Sequence, residues 1–319
     1  LALGFVLNNG WLKRAEAMPH YKAAQELAPG DADVLRAAAS FHAYGTDRAL
    51  ASRMIDQVLE LDPLNARAFR SAGYIALFAR DYSAVIGRMD QALALNPSLA
   101  SAQFAIAIAR LMQGDAARLC FTSPPYGNQR DYTSGGIADW DGLMRGVFAQ
   151  LPMAADGQVL VNLGLIHRDN EFIPYWDPWL EWMRSQGWRR FAWYVWDQGP
   201  GMPGDWQGRL APSFEFIFHF NRQTRKPNKT VPCKFAGQET HLRADGSSTA
   251  MRGKDGQVNG WTAAGQPTQD HRIPDSVIRV MRHKGKIGKD IDHPAVFPVT
   301  LPVEVIEAYT DEGEIVFEP

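Results

Sequence analysis

The residues whose types and spacing favour chemistry are Thr122-Ser123-Pro124-Pro125-Tyr126. Consecutive prolines fix φ and carry no backbone N–H, so the carbonyl groups of this turn remain available as rigid hydrogen-bond acceptors. Such acceptors suit the exocyclic amino group of a nucleic-acid base, which must be held while its nitrogen attacks a methyl donor. An aromatic side chain such as Tyr126 can stack on a base that has left the double helix. The short motif also suits a surface turn or a polyproline ligand, so its setting in the chain decides between the interpretations.

The surrounding sequence alternates strand-like and helix-like segments, which predicts a three-layer α/β sheet. An apolar run leads directly into the Pro-Pro turn, and Phe214, Phe216, Phe218 and Phe220 alternate along a later strand. The predicted helices are 139–151 and 175–186, and the predicted strands are 118–121, 157–166, 190–196 and 213–220. Because ligands of such sheets bind at the carboxyl ends of the strands, the turn lies where a catalytic loop is expected.

Residues 120–319 resemble the DNA N4-cytosine/N6-adenine methyltransferases in which the catalytic motif precedes the cofactor motif. Three stretches carry the resemblance in the order of that family. They are Thr122-Ser123-Pro124-Pro125-Tyr126, then Trp196-Asp197-Gln198 with Ala211-Pro212-Ser213-Phe214-Glu215-Phe216-Ile217, and finally His293-Pro294-Ala295-Val296-Phe297-Pro298. The first stretch has the form more typical of N4-cytosine enzymes.

The resemblance implies a site-specific DNA methyltransferase that flips its target base and methylates an exocyclic amino group, with cytosine N4 favoured by the form of the motif. Ser123 and the Pro124 carbonyl would hold the amino group, and Pro125 would keep the turn rigid. Tyr126 would stack on the flipped base. Methyl transfer in this family is direct and forms no covalent adduct with the base.

Two further pairs of residues follow from the same comparison. Asp131 and Tyr132 are candidates to close over the base, and a role in a solvated loop suits them equally. Cys120 and Cys233 are not needed as nucleophiles, and neither has a metal-ligand spacing around it. We expect two reduced thiols and no metal site.

The family's cofactor is S-adenosyl-L-methionine, and the resemblance places Thr122, Phe297, Glu318 and Pro319 against it. A strand at 314–319 stands where the family has the strand that leads into a Phe-x-Gly-x-Gly loop. We expect that Gly-rich loop, which lets the backbone approach the cofactor, to lie beyond Pro319. The expected fold of 117–319 is therefore an incomplete α/β Rossmann-like domain.

The segment 222–290 is basic, with fourteen Lys and Arg against six Asp and Glu. A basic, loop-rich insertion beside a catalytic sheet suits contacts with DNA phosphates, and its position resembles the family's target-recognition region. The alternative is a solvated loop without a partner. The expected contacts with double-stranded DNA are Arg222, Arg225, Lys226, Lys229, Arg282, Lys284 and Lys286.

The first third of the chain contains a repeat. The triplets at 27–29, 61–63 and 95–97 each begin with Leu and end with Pro, at intervals of 34 residues. This period is typical of tetratricopeptide repeats (TPR), whose helical hairpins stack into a superhelix. We expect an all-α TPR domain at 1–116 and the methylase domain at 117–319. A concave groove that binds a partner protein and a purely structural array are equally compatible with this pattern.

Composition excludes several other classes. A net charge of −2 and a hydrophobic content of 45% are ordinary for a globular protein, and no apolar run is long enough to span a membrane. The chain begins with Leu, without a signal-peptide layout, so we expect a cytoplasmic piece of a longer bacterial or phage protein from a restriction-modification system.

Three hypotheses remain open at this point. The first is a DNA methyltransferase acting on cytosine N4. The second is a TPR interaction module that carries an inactive methylase remnant. The third is an enzyme of the same family that acts on adenine N6.

Overall fold

The computed structural model describes residues 1–45, 47–127, 139–201, 203–282 and 297–319. By its internal contacts the chain divides into two compact units, Leu1–Asp115 and Ala116–Pro319. Among the described residues, no helix is both long and apolar enough to cross a lipid bilayer.

The first unit is helical. Its elements are α1 (Ala2–Phe5), a π-helical turn (Val6–Gly10), α2 (Arg14–Leu27), α3 (Ala32–Ala43), α4 (Arg48–Leu61), α5 (Ala66–Ala79), α6 (Tyr82–Leu95) and α7 (Ala100–Met112). From α2 to α7 each helix packs against the next one along the chain.

Helix caps repeat with the period seen in the sequence. Asp31 and Asn65 cap α3 and α5, and Asp47 and Asp81 cap α4 and α6; within each pair the two residues are 34 positions apart. Each cap accepts a hydrogen bond from a backbone N–H of the first turn, at 2.9–3.0 Å. The predicted helical region is therefore confirmed, while its assignment to the TPR class stays a prediction.

Small residues allow the helices to approach closely. A Cβ atom added to Gly73 on α5 would lie 2.6 Å from Cε and 2.9 Å from Cγ of Met89 on α6, so a larger residue would displace that side chain. Met89 is fully buried, as are Tyr21 and Ile55, the residues at the same position in the two preceding repeats. The recurring apolar positions of the sequence thus form the core of the array.

The second unit contains a mixed sheet and smaller hairpins. Its helices are α8 (Trp140–Phe148), α9 (Asp177–Ser185) and α10 (Thr300–Tyr309). Its strands are β1 (Ala117–Thr122), β2 (Met153–Leu163), β3 (Ile166–Arg168), β4 (Glu171–Ile173), β5 (Arg189–Asp197), β6 (Phe214–Asn221), β7 (Val231–Pro232), β8 (Ala250–Arg252), β9 (Val258–Gly260), β10 (His271–Arg272), β11 (Val277–Arg279) and β12 (Val316–Phe317).

Within the described part of the second unit, the main sheet has six strands in the order β11-β5-β6-β2-β1-β12. Strand β6 runs antiparallel to both of its neighbours, and the other neighbouring strands pair in parallel. The carboxyl ends of β12, β1, β2, β5 and β11 therefore meet at one edge of the sheet, which we call the carboxyl edge.

Helices cover both faces of this sheet. Trp140 and Trp179 of α8 and α9 pack with Phe220 of β6 on one face, and Leu301 and Val305 of α10 pack on the other. The predicted three-layer α/β arrangement is confirmed. The pairs β3–β4, β7–β10 and β8–β9 were not predicted, because strands of two or three residues are too short to show a periodic pattern.

Candidate functional site

The loop Ser123–Tyr126 leaves the sheet at the carboxyl edge. Thr122, the last residue of β1, is buried and pairs with Val161 of β2. On its other side β1 pairs with β12, where Cys120 lies opposite Phe317. The loop therefore starts between two parallel neighbours, the place at which ligands of α/β sheets bind.

A buried tryptophan fixes the second proline of the loop. The indole Nε1 of Trp140 donates a 2.6 Å hydrogen bond to the Pro125 carbonyl. Trp140 is the first residue of α8, whose cap Asp139 accepts from the N–H of Gly142. Its ring contacts Tyr175 edge-on, with 4.8 Å between ring centroids. The loop is thus held by the packed helical layer as well as by its own prolines.

The ring of Tyr126 lies against the backbone that follows β2. A Cβ atom added to Gly164 would be 2.6 Å from Cε2 of Tyr126, so glycine is required for the ring to sit there. The Gly164 carbonyl accepts a 3.1 Å hydrogen bond from the Tyr175 hydroxyl. Tyr126 therefore has one defined position in the site.

Four polar side chains meet at the Tyr126 hydroxyl, and we call them the hydroxyl cluster: Ser123, Tyr126, Asn162 and Glu215. Tyr126 donates to Glu215 Oε2 at 2.5 Å, and its oxygen lies 3.2 Å from Ser123 Oγ. The Asn162 amide reaches Tyr126 at 2.8 Å, Glu215 Oε2 at 2.6 Å and Ser123 Oγ at 3.3 Å. The loop after β1 supplies two members of this cluster, and strands β2 and β6 supply one each.

Burial and a neighbouring carboxylate keep the Tyr126 phenol protonated. Its pKa is raised well above the usual value, first by burial, then by the charge of Glu215 and by the hydrogen bond to it. The phenol is therefore a hydrogen-bond donor at neutral pH.

Asn162 and Glu215 were missed in the sequence, although Asn162 left a trace there. It is a single amide within the apolar strand Val159-Leu160-Val161-Asn162-Leu163, and its side chain is completely buried. Its Oδ1 atom has no hydrogen-bond partner among the described residues. Buried amides are normally fully paired, so an amide inside an apolar run indicates that polar partners meet it there. Glu215 has no comparable local pattern.

Comparison with known proteins decides the family. Residues 117–319 match the DNA methylase family of N6/N4 methyltransferases. The chain belongs to the DNA methylase family. Enzymes of this family are S-adenosyl-L-methionine-dependent, as predicted for the cofactor. No curated protein was found to match the chain in sequence.

Solved structures similar to this methylase chain include "PvuII DNA methyltransferase (cytosine-N4-specific)", at 15% identity and a TM-score of 0.42, covering 64% of this chain and 67% of the other. The M1.HpyAVI complex with SAM aligns at 14% identity and a TM-score of 0.36, covering 68% and 78%. A putative DNA modification methylase from Thermus thermophilus aligns at 19% identity and a TM-score of 0.26, covering 37% and 55%.

The methylase residues expected at the cofactor lie around the ends of β1 and β12. Phe297 packs on Phe121 of β1, with 5.7 Å between ring centroids. Glu318 directly follows β12, and partial burial raises the pKa of its carboxyl. These residues, with Thr122 and Pro319, therefore lie near one another at the carboxyl edge, and their contact with the cofactor stays a prediction.

Cys120 lies in β1, and its thiol is chemically inert. It is fully buried, and burial together with the nearby Glu318 raises the pKa of its thiol to about 12. A thiol in this state does not serve as a nucleophile at neutral pH. Among the described residues of the methylase, no group of His, Cys, Asp and Glu could hold a metal ion.

The basic segment of the methylase begins far from the catalytic loop. Asn221 ends β6 and pairs with Gln158, whereas Ile217 of the same strand pairs with Asn162. These two positions on β2 are about 13 Å apart. Arg222 and the residues after it consequently leave the sheet at the edge opposite Tyr126.

Arg222 and Arg225 both have protein partners at that edge. The guanidinium of Arg222 lies over the Trp188 ring, 4.1 Å from its centroid. Arg225 forms ion pairs with Glu314 at 2.7 Å and Asp311 at 2.8 Å. The structure therefore does not bring these two arginines to the catalytic loop, and their contact with DNA stays a prediction.

Arg282, a described residue of the basic segment, lies at the carboxyl edge. Strand β11 pairs with β5, and Arg282 then donates through Nη2 to the Pro200 carbonyl at 2.6 Å. Two lysines of the expected set precede this point in the sequence. Lys229 donates a 2.5 Å hydrogen bond to the side chain of Gln269, and Lys226 directly follows Arg225 in the chain.

Lys284 and Lys286 lie outside the described residues, as do Asp131, Tyr132 and the His293–Val296 part of the third matching stretch.

The helical unit contains a groove of about 860 Å³. Its lining repeats with the 34-residue period: Arg36 of α3 and Tyr44, directly after that helix, are matched by Arg70 and Phe78 of α5. Among the described residues that line the groove, none is acidic. Arg36 is paired with the exposed Asp33, at 3.0 Å, which lies outside the lining. The lining is therefore aromatic, and Arg70 supplies its positive charge.

Proposed function

We propose that the chain is the catalytic part of a DNA methyltransferase that transfers a methyl group from S-adenosyl-L-methionine to the exocyclic amino group of a flipped base. The observation that carries this proposal is the hydroxyl cluster at the carboxyl edge. It places hydrogen-bonding hydroxyl groups and a carboxylate beside a rigid Pro-Pro turn. Such a site can hold an amino group and remove its proton, which is what amino methylation needs.

The roles of the loop residues follow from their contacts. Pro125 already accepts from Trp140, so we assign the Pro124 carbonyl and Ser123 Oγ to the target amino group. Tyr126, held against Gly164, offers its ring as the stacking surface for the base. Glu318, Thr122 and Phe297, with Pro319, would hold the cofactor, which when bound supplies an electrophilic methyl group.

Methylation by the chain tests this function directly. Labelled S-adenosyl-L-methionine is added to the chain, and to the full-length product of its gene, with double-stranded DNA. We expect uptake of label into DNA, and its loss in Ser123→Ala but not in the exposed control Ser185→Ala. If neither form binds the labelled cofactor, the methyltransferase proposal is refuted and the interaction-module hypothesis remains.

Cytosine N4 is our proposed target because Ser-Pro-Pro-Tyr has the form typical of N4-cytosine enzymes. Nucleoside mass spectrometry of the methylated DNA distinguishes the two bases. N4-methylcytosine is the expected product. N6-methyladenine would refute this choice and leave the rest of the proposal unchanged.

We propose that Arg282 contacts a DNA phosphate. Among the described residues of the expected DNA-binding set, it is the one placed at the carboxyl edge. Neutralising a phosphate-binding cation lowers the magnitude of the slope of log K for DNA binding against log salt concentration by about one. Arg282→Gln should show this change, and Arg184→Gln, at an exposed position of α9, serves as a control of equal charge. An unchanged slope would exclude Arg282 from the interface.

A second function is proposed for the helical unit, that of a TPR-type module that binds an acidic, aromatic-rich segment of a partner protein. The groove carries it, because Arg70 and the exposed ring of Tyr44 line it and none of its described lining residues is acidic, whereas Arg36 is already paired with Asp33. A fluorescein-labelled peptide of Glu, Leu and Phe is a suitable probe. We expect binding that weakens in Arg70→Ala and persists in Arg67→Ala, an exposed arginine of the same helix outside the groove. Equal binding by both variants would contradict the proposal.

A further inference from the structure

The hydroxyl groups of the cluster form a chain of hydrogen bonds in which each one donates towards Glu215. A phenol has one hydrogen, and Tyr126 donates it to Glu215 Oε2. Ser123 must then donate its own hydrogen to the Tyr126 oxygen, 3.2 Å away. The Ser123 oxygen is left as an acceptor. A base placed beside the loop thus meets a hydroxyl that can receive a proton and can pass one inward.

Asn162 maintains this direction. Its Nδ2 group reaches oxygen atoms of Glu215, Tyr126 and Ser123. Reversing the amide would bring Oδ1 to within 2.6 Å of the Glu215 carboxylate, where two acceptors repel each other. Tyr126 and Asn162 both donate to Oε2, so Glu215 lies at the accepting end of the network.

We propose that Glu215 is the final proton acceptor of methyl transfer, reached from the target amino group through Ser123 and Tyr126. This inference rests on the proposed function. An amino nitrogen that gains a methyl group must lose one hydrogen to remain neutral. Nothing in the motif itself can keep that proton, since neither hydroxyl is a base at neutral pH. Glu215 is the carboxylate that the described cluster provides.

The atoms and charges balance along this path. The amino nitrogen bonds to the methyl carbon, and the carbon–sulfur bond of the sulfonium donor breaks with its electron pair left on sulfur. The amino proton passes to Ser123, the Ser123 proton to Tyr126, and the Tyr126 proton to Oε2 of Glu215. The positive charge of the donor and the negative charge of Glu215 disappear together, and the amine remains neutral.

Glu215→Gln tests the proposal because it keeps the size and polarity of the side chain but removes its ability to take up a proton. We expect kcat for DNA methylation to fall by about 10²–10⁴-fold with the KM for DNA unchanged. Tyr126→Phe, which interrupts the path, should lower kcat similarly. Glu215→Asp keeps a carboxylate and should restore part of the rate.

The matched control is Glu171→Gln, which removes an exposed carboxylate from β4. We expect it to retain wild-type kcat and KM. A Glu215→Gln enzyme within threefold of the wild type would overturn the relay while the proposed function stands. A raised KM with unchanged kcat would show that Glu215 only holds the loop, which also overturns it. Absence of methylation by the wild-type protein would refute the proposed function itself, and the relay with it.

Discussion

The Tyr126 hydroxyl donates a 2.5 Å hydrogen bond to Oε2 of Glu215, although the two residues are 89 positions apart in the chain. The bond joins the loop after β1 to the start of β6 across the intervening strand β2, which adds Asn162. Its consequence is that the aromatic residue of the motif is both a surface for the base and part of a polar network.

The two roles of Tyr126 can be separated by substitution. Tyr126→Ala should weaken binding of the target duplex by ~1–3 kcal/mol, because base stacking on the ring is lost. Tyr126→Phe keeps the ring and should bind the duplex like the wild type. Fluorescence anisotropy with labelled target DNA measures both affinities. Equal affinities for the Ala and Phe variants would remove Tyr126 from the base-binding surface.

A methyl group at Gly164 should displace the Tyr126 ring. Gly164→Ala brings Cβ to within 2.6 Å of Cε2, and we expect a cost of about 1–3 kcal/mol in stability together with loss of methylation. Gly146→Ala is the control, since a Cβ atom there, on the exposed side of α8, has no neighbour within 4 Å. The control should gain about 0.5–1 kcal/mol from its helix propensity. Urea unfolding measures both, and a Gly164→Ala protein as stable and active as the control would contradict the close contact.

Acid should destabilise the second unit through His219. This side chain is buried, with Nε2 2.9 Å from the side-chain oxygen of Gln158 and Nδ1 2.9 Å from the Tyr194 hydroxyl. Burial lowers its pKa to about 3. The unfolded chain takes up this proton near pH 6.5, so the free energy of unfolding falls as pH drops from 6.5 towards 3, by up to about 1.4 kcal/mol per pH unit.

Urea titrations at pH 7 and pH 5, followed by tryptophan fluorescence, measure this dependence, since nine of the ten tryptophans lie beyond residue 115. His219→Gln should reduce the difference in free energy of unfolding between pH 7 and pH 5 by about 2 kcal/mol. The exposed His167→Gln should leave the difference as it is in the wild type. A wild-type pH dependence in His219→Gln would show that other groups cause it.

Arg225 should contribute mainly to stability. Its guanidinium is largely buried against Glu314 and Asp311, and its removal leaves the half-buried Glu314 without this partner. We expect Arg225→Gln to cost about 1–3 kcal/mol. The exposed Arg243→Gln should be neutral within about 0.5 kcal/mol. If Arg225→Gln instead lowers DNA affinity with unchanged stability, the sequence-based assignment to DNA is correct.

Much of the fold could be predicted from local patterns. The 34-residue spacing predicted the helical array because each hairpin repeats one set of caps and buried positions, as Asp31 and Asn65 show. Alternating phenylalanines predicted β6, and the apolar run before Ser123 predicted β1. These features depend on neighbours within a few residues, so the sequence carries them directly.

The sequence by itself determined the motif, its family and the class of reaction, because a rigid Pro-Pro turn after a strand is a local property of the chain. Only the tertiary structure decided which groups meet the motif. Glu215 reaches Tyr126 because β6 runs antiparallel beside β2, and the same antiparallel path carries Arg222 and Arg225 to the opposite edge. Strand order and direction are set by packing of the whole sheet, so residues close in the sequence lie at opposite ends of it, and distant ones share a site.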